Sequence, residues 1–60
     1  MKQYDVVRVI KDDNKHGISK GQIGTILEDY GDNHYEIEIC DKNGITIFLG
    51  AVSGEFLEVI

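Results

Sequence analysis

Three glycines lie within eight positions of the segment "HGISKGQIGTILE", His16–Glu28, and glycines at close spacing can cradle a phosphate group. A phosphate-binding P-loop has the pattern G-x-x-x-x-G-K-[ST], in which the lysine follows the last glycine and a helix begins. In this chain Lys20 precedes Gly21, and the β-branched residues that follow favour a strand. We therefore expect the glycines to serve the backbone, with Gly21 in a turn and Gly24 at a bend or close approach within a strand.

The segment "DDNKHG" covers half of a calcium-binding loop. Asp12, Asn14 and Gly17 stand at the first, third and sixth positions of such a loop. His16 stands where an oxygen ligand is expected, and Ile23 where a bidentate glutamate belongs. Because too few oxygen ligands remain and no helices are predicted on either side, we expect no calcium site.

Histidine and cysteine are the other residues that could bind a metal. His16 and His34 are the only histidines, and nothing in their spacing requires a shared ion. Cys40 is the only cysteine, so the chain has no internal disulfide and no cysteine pair for zinc. We expect no metal and no cofactor.

Glu36 and Glu38 are the pair that most resembles a catalytic dyad. They share one exposed strand face, and nothing in the sequence divides them into an acid and a base. No Ser-His-Asp or Cys-His arrangement is present, and a chain of 60 residues has little room for a deep, dry pocket. We expect no catalytic residues and no enzymatic activity.

Hydrophobic periodicity predicts the elements that position these residues. Runs of β-branched and aromatic residues with period-two alternation predict five strands: Tyr4–Ile10, Gln22–Tyr30, His34–Cys40, Ile45–Gly50 and Phe56–Ile60. A long loop at Lys11–Gly21 follows the first strand, and one 3₁₀ turn within Ala51–Glu55 precedes the last. Because open sheet edges invite pairing with other chains, we expect the first and last strands to pair and close a barrel in one domain, residues 1–60.

Charge is unevenly distributed along the chain, whose net charge is −5. Residues 1–20 carry five basic and three acidic residues (+2), whereas residues 21–60 carry eight acidic residues and one lysine (−7). An acidic surface repels phosphate backbones and steers towards basic partners. We predict partner docking on an acidic face formed by Glu28, Asp29, Asp32, His34, Glu36 and Glu38. The competing surface is the cationic loop, with Lys11, Lys15, His16 and Lys20.

Several motifs resemble known small barrels. The end of the chain, "LGAVSGEFLEVI", resembles the end of SH3-like barrels, and "DVVRVI…KGQIGTILE" resembles the opening of KOW domains. Nearly the whole chain is similar to a functionally uncharacterised family of short bacterial proteins. The motifs that carry this resemblance are Asp5–Arg8, His16–Glu28, Tyr35–Glu38 and Leu57–Ile60. It implies an SH3-like fold, which hosts many activities.

Two departures bear on function. KOW domains that bind nucleic acid are typically basic, whereas this chain is acidic. SH3 domains grip proline-rich peptides in an aromatic groove, whereas this chain has no tryptophan.

The sequence thus predicts an all-β, five-stranded, SH3-like barrel that acts as a non-catalytic protein-binding module. The partner is another protein, with a basic one favoured, and self-association stays open. The alternatives are an inhibitor or immunity-type protein that covers a basic site such as that of a nuclease, and a nucleic-acid- or ribosome-associated KOW-like barrel. No apolar run approaches the length of a membrane span, and "MKQYDVV" lacks the apolar region of a signal peptide. A cytoplasmic location without membrane contact is therefore expected.

Overall fold

Five antiparallel strands form one sheet in the computed structural model of the chain, which describes residues 1–60. The strands are β1 (Val6–Val9), β2 (Ile23–Gly31), β3 (His34–Cys40), β4 (Thr46–Ser53) and β5 (Leu57–Val59), and one turn of 3₁₀ helix covers Gly54–Phe56. Hydrogen-bonded neighbours follow the order β4-β3-β2-β1-β5. The predicted all-β fold, with five strands and a 3₁₀ turn before the last one, is confirmed. No helix is long and apolar enough to cross a bilayer.

The hairpin of β2 and β3 forms the centre of the sheet. Alternation in β3 buries Tyr35, Ile37 and Ile39, and it turns the residues between them towards the other face. Asp32 and Asn33 connect the two strands, both with positive φ (52° and 59°), as a tight primed hairpin turn requires. The bounds predicted for the third strand are those of β3.

One face of the sheet, together with the long first loop, encloses the core. The apolar side chains buried there are Val7, Val9, Ile18, Ile26, Tyr35, Ile37, Ile39, Val52 and Leu57, with Phe48 and Phe56 packed against them. Ile18 comes from the loop, because a bridge between Asp13 and Ile18 turns that segment back onto the sheet. The first loop is therefore part of the folded core and holds its polar residues in fixed positions.

The first strand is shorter than the sequence suggests. The regular ladder of β1 covers only Val6–Val9, whereas the predicted strand extended from Tyr4 to Ile10. Tyr4 has a positive φ of 70°, which breaks the strand on its N-terminal side. The strand is buried on one face only, because Val7 and Val9 are fully buried whereas Val6 is 48% exposed.

The fourth strand is longer at its C-terminal end than expected. β4 includes Ala51 and Ser53, which the prediction assigned to the helical turn. The turn begins only at Gly54, where the Ser53 hydroxyl accepts a hydrogen bond from the Glu55 backbone N–H and caps it. Strand β4 consequently runs alongside the whole of β3.

The first and last strands pair as predicted. Val7 lies opposite Val59, and Arg8 lies opposite Glu58, whose carboxylate accepts a hydrogen bond from the Arg8 guanidinium at 2.9 Å. No ladder joins β4 to β5, so the sheet is open and these two strands are its edges. The expected closure into a barrel is not confirmed.

Candidate functional site

The carboxylates of β3 lie on the face of the sheet opposite the core, as predicted. We call this surface, which is formed by β2, β3 and β4, the outer face. The register places Glu28 of β2 opposite Glu36, and Thr25 opposite Glu38. Like charges in directly opposed positions are destabilising, so the Glu28–Glu36 pair contributes nothing to stability by itself.

A bulge in β2 brings Glu28 to the outer face. Ile26 lies opposite Ile37 in the core, but Glu28 lies opposite Glu36, so one extra residue sits between them on β2. Simple alternation from Ile26 would turn Glu28 towards the core. The bulge shifts the phase by one residue and gives the carboxylates of β2 and β3 a common surface.

None of the predicted acidic-face carboxylates has a cationic partner. The ion pairs of the structure join Arg8 to Glu58 and Lys11 to Glu55, and the His16 ring contacts the Asp13 carboxylate. The acidic-face residues without such a partner are Glu28, Asp29, Asp32, Glu36 and Glu38. Their charge is therefore available to a molecule that approaches from solvent.

Neutral hydroxyls orient the two carboxylates of β3. The Tyr30 hydroxyl donates a hydrogen bond to Glu36 Oε1 at 3.0 Å, and Thr46 Oγ1 donates one to Glu38 Oε2. The hydrogen bond to Glu36 raises the pKa of Tyr30 above its usual value, with desolvation of the phenol and the nearby carboxylates acting in the same direction. Sequence reasoning missed both hydroxyls, since their contacts depend on strand register.

The remaining members of the predicted acidic face are placed differently. Asp29 lies opposite Tyr35, whose side chain is buried in the core. The Asp29 carboxylate accepts a hydrogen bond from the Gly31 N–H at 2.9 Å. Asp32 occupies the hairpin turn, where its carbonyl accepts a hydrogen bond from His34 Nδ1 at 2.8 Å. Of the predicted acidic face, the structure thus brings Glu28 together with the β3 carboxylates and leaves Asp29 and Asp32 at the hairpin end.

Apolar side chains of β4 continue the outer face beyond the carboxylates. Leu49 lies opposite Glu38, and Ala51 lies opposite Glu36. Leu49 is 58% exposed and Ile47 is 51% exposed, although both are large and apolar. Sequence reasoning did not identify Ile47 and Leu49 as a surface. A usable signal was present, because no charged residue occurs between Asn43 and Gly54.

The cationic loop, by contrast, is largely engaged with its own neighbours. Lys11 Nζ lies 5.2 Å from the centre of the Phe56 ring and 4.0 Å from Glu55 Oε1. His16 Nδ1 lies 2.6 Å from Asp13 Oδ2, with its ring edge-on to Phe48. Among the predicted loop cations, those without an ion pair are Lys15 and Lys20.

Asp13 organises this loop. Its carboxylate accepts hydrogen bonds from the backbone N–H groups of Lys15 and His16, at 3.1 and 3.3 Å, in addition to the His16 ring contact. The His16 side chain is the main cause that lowers the pKa of Asp13, the backbone N–H groups assist, and desolvation opposes them. These bonds make Asp13 a structural clamp for the turn.

The family model described as "Domain of unknown function (DUF4926)" matches residues 3–59. The chain belongs to the DUF4926 family. The expected membership of an uncharacterised family is thereby confirmed, and no curated protein and no solved structure matches the chain.

The family match spans all the strands of this DUF4926 domain, so the outer face and the cationic loop both lie within it. The domain contains no pocket and no group of three or more His, Cys, Asp or Glu side chains placed to hold a metal ion. The Cys40 thiol is exposed and lies 3.9 Å from Thr46 Oγ1.

Proposed function

We propose that this DUF4926 domain is a non-catalytic protein-binding module that docks a basic protein on its outer face. The observation that carries the proposal is the juxtaposition of Glu36 and Glu38, which lack cationic partners, with the exposed Leu49 on the adjacent strand. Protein interfaces combine an apolar core with a polar, solvent-accessible rim. Carboxylates at the rim accelerate encounter with a basic partner and select against acidic ones.

The proposal includes an SH3-like architecture and a cytoplasmic location. The position of the last strand beside the first and the 3₁₀ turn that enters it support the likeness to SH3-like barrels. The absence of an apolar span from the sequence supports the location. Neither point decides the function, because small barrels of this type carry many activities.

An inhibitor or immunity-type role is the specialised form of the same proposal. A row of carboxylates without counter-ions has a charge complementary to the basic substrate site of a nuclease. A nucleic-acid-binding role depends instead on Lys15 and Lys20, the loop cations without ion pairs. We favour protein binding because two such lysines provide little attraction against a net charge of −5.

Charge-reversal variants test the proposal. The immobilised domain is used to capture proteins, and the Glu36→Lys/Glu38→Lys double variant is compared with the Lys15→Glu/Lys20→Glu double variant. We expect a basic partner whose capture weakens with salt, is lost in the first variant and is retained in the second. Circular dichroism on both variants confirms that the fold is intact.

The opposite pattern distinguishes the alternatives. Salt-sensitive binding of a short RNA or DNA that is lost in the Lys15→Glu/Lys20→Glu variant would overturn the protein-binding proposal in favour of the nucleic-acid role. If the captured protein is an enzyme, its activity is measured with and without the domain. Inhibition that disappears with Glu36→Lys/Glu38→Lys assigns the inhibitor role.

A further inference from the structure

One edge of the sheet is unpaired along a full-length strand. β4 comprises eight residues, Thr46–Ser53, and its only strand partner is β3. None of the backbone hydrogen bonds outside the ladders involves residues 46–53. The N–H and C=O groups on the outer side of β4 are therefore free to pair with another strand.

This edge lacks most of the devices that usually prevent strand addition. Natural edge strands carry lysines, prolines, inward-pointing charges or β-bulges, or are very short. β4 reads TIFLGAVS and has no charged residue and no proline, and its one bulge, at Ile47, lies near its N-terminal end, away from Leu49 and Ala51. The opposite edge, β5, is protected, because it has only three residues and carries Glu58 in an ion pair with Arg8. The two edges of one sheet thus differ in how open they are to a partner.

Resting on the proposed function, we infer that β4 accepts an extended segment of a basic protein as an added strand of the sheet. Main-chain hydrogen bonds to a sheet edge provide affinity in this mode, and alternate side chains provide specificity. On the outer face the added strand meets Leu49 and Ala51, with Glu36 and Glu38 one strand further in. The carboxylates select an occupant of positive charge, and pairing with the free backbone groups of β4 requires the occupant to be extended.

The size of the β4 side chains indicates which residues the segment carries. Strands are spaced about 4.8 Å apart, so an added strand lies about 9.6 Å from β3. Ala51 lies opposite Glu36 and has no side chain beyond Cβ, so an Arg or Lys beside Ala51 reaches across to the Glu36 carboxylate. Leu49 lies opposite Glu38, and its apolar side chain favours an apolar neighbour on the added strand. The segment therefore carries an apolar residue and a basic residue two positions apart.

A second copy of the chain is a poorer occupant of this edge. Pairing of β4 with β4 of another copy joins two molecules that each carry a net charge of −5. It also adds a second set of Glu36 and Glu38 carboxylates to the same face, without counter-ions for either set. Charge complementarity therefore selects a basic segment.

Selection from a random peptide library tests the inference, with peptides of about ten residues, the upper end of usual strand lengths, so that each can pair along the 8 residues of β4. We expect the enriched peptides to contain Lys or Arg at positions two apart from apolar residues. We expect affinity to fall about tenfold or more in Leu49→Lys, because a lysine on an edge strand opposes strand addition. Val59→Lys on β5 is the matched control, since Val59 is 50% exposed at the other edge, and it should bind as the wild type does.

Amide hydrogen exchange locates the peptide. With a selected peptide bound, the fast-exchanging amides of β4 should slow by at least about tenfold, whereas those of β5 should not change. Equal loss of binding in Val59→Lys, enriched peptides without basic residues, no enrichment at all, or unchanged exchange in β4 would each overturn strand addition. Dimerisation of the free domain that protects β4 would overturn it in favour of a second copy.

The outcomes separate this inference from the proposed function. If Glu36→Lys/Glu38→Lys abolishes partner capture but Leu49→Lys does not, and β4 exchange is unchanged, docking on the outer face stands and strand addition fails. If the carboxylate reversals leave partner capture intact, the proposed function itself fails.

Discussion

A Cβ atom at Gly24 would lie 2.9 Å from the backbone carbonyl oxygen of Glu38, on the neighbouring strand. The same Cβ would lie 3.1 Å from Ile39 Cγ1. Real Cβ atoms do not approach backbone oxygens this closely, so the two strands could not keep their spacing with any other residue. Gly24 lets β2 pack against β3 at the point where Glu38 projects onto the outer face. The close approach of β2 to β3 at Gly24 therefore also fixes the position of Glu38, a candidate binding residue.

Replacement of this glycine should destabilise the fold. Glycine within a strand is normally the poorer residue, so Gly24→Ala would stabilise by about 0.5–1 kcal/mol if space were available. Because the contact is with a backbone carbonyl that cannot turn away, we expect instead a loss of about 1–3 kcal/mol, measured by urea unfolding. Gly50→Ala is the comparison, since its Cβ would meet the end of the Phe48 side chain at 3.1 Å instead of a backbone carbonyl. Unchanged stability in Gly24→Ala would remove the packing explanation.

The Tyr30–Glu36 hydrogen bond predicts a response to alkaline pH. The folded-state pKa of Tyr30 lies above the usual 10.0, because the phenol donates to a carboxylate. The bond therefore stabilises the fold fully below pH 10.0 and loses its effect as pH rises through the folded pKa. In Glu36→Ala, the Tyr30 phenol should ionise at lower pH, as followed by the NMR shift of its ring. Tyr30→Phe assigns the signal, and an unmoved titration in Glu36→Ala would contradict the contact.

The Asp13 clamp predicts a response to acid. Its folded-state pKa lies below the usual 3.8, so the unfolded chain binds more protons in this range. The stabilisation is present above pH 3.8 and is lost as pH falls through the folded pKa. Asp13→Asn should unfold with a weaker acid dependence than the wild type, as measured by chemical denaturation at a series of acidic pH values. Its Lys15 and His16 amides should also exchange faster. An acid dependence equal to that of the wild type would show that other carboxylates control it.

Local pattern was sufficient to predict the central hairpin. β3 alternates apolar and polar residues without interruption, and the turn before it carries residues that tolerate positive φ. These signals lie within the strand and its turn, and need no knowledge of distant partners. The outward position of Glu36 and Glu38 follows from the same alternation, so half of the outer face could be predicted from the sequence.

Register and sheet edges could not be predicted in this way. The extra residue between Ile26 and Glu28 changes which β2 carboxylate faces outward, and no residue type in that segment marks it. In β4 both faces read as apolar, so only the pairing with β3 decides that Phe48 packs inward and Leu49 faces solvent. Closure of the sheet would require β4 to pair with β5. Only Gly54–Phe56 separate these two strands in sequence, yet no ladder joins them, and no residue type in the segment marks this.

The exposed apolar residues of β4 should be dispensable for stability, which distinguishes a binding surface from a core. Ile37 and Ile47 are a matched pair, since the first is fully buried on β3 and the second is half exposed on β4. Ile37→Val should cost about 0.5–1.5 kcal/mol through the lost methylene and the cavity it leaves. Ile47→Val should change the free energy of unfolding by less than about 0.5 kcal/mol. Both values come from urea denaturation of the purified variants. A cost for Ile47→Val as large as that for Ile37→Val would mean that the β4 edge is part of the folding core, and the case for an exposed docking strand would then fail.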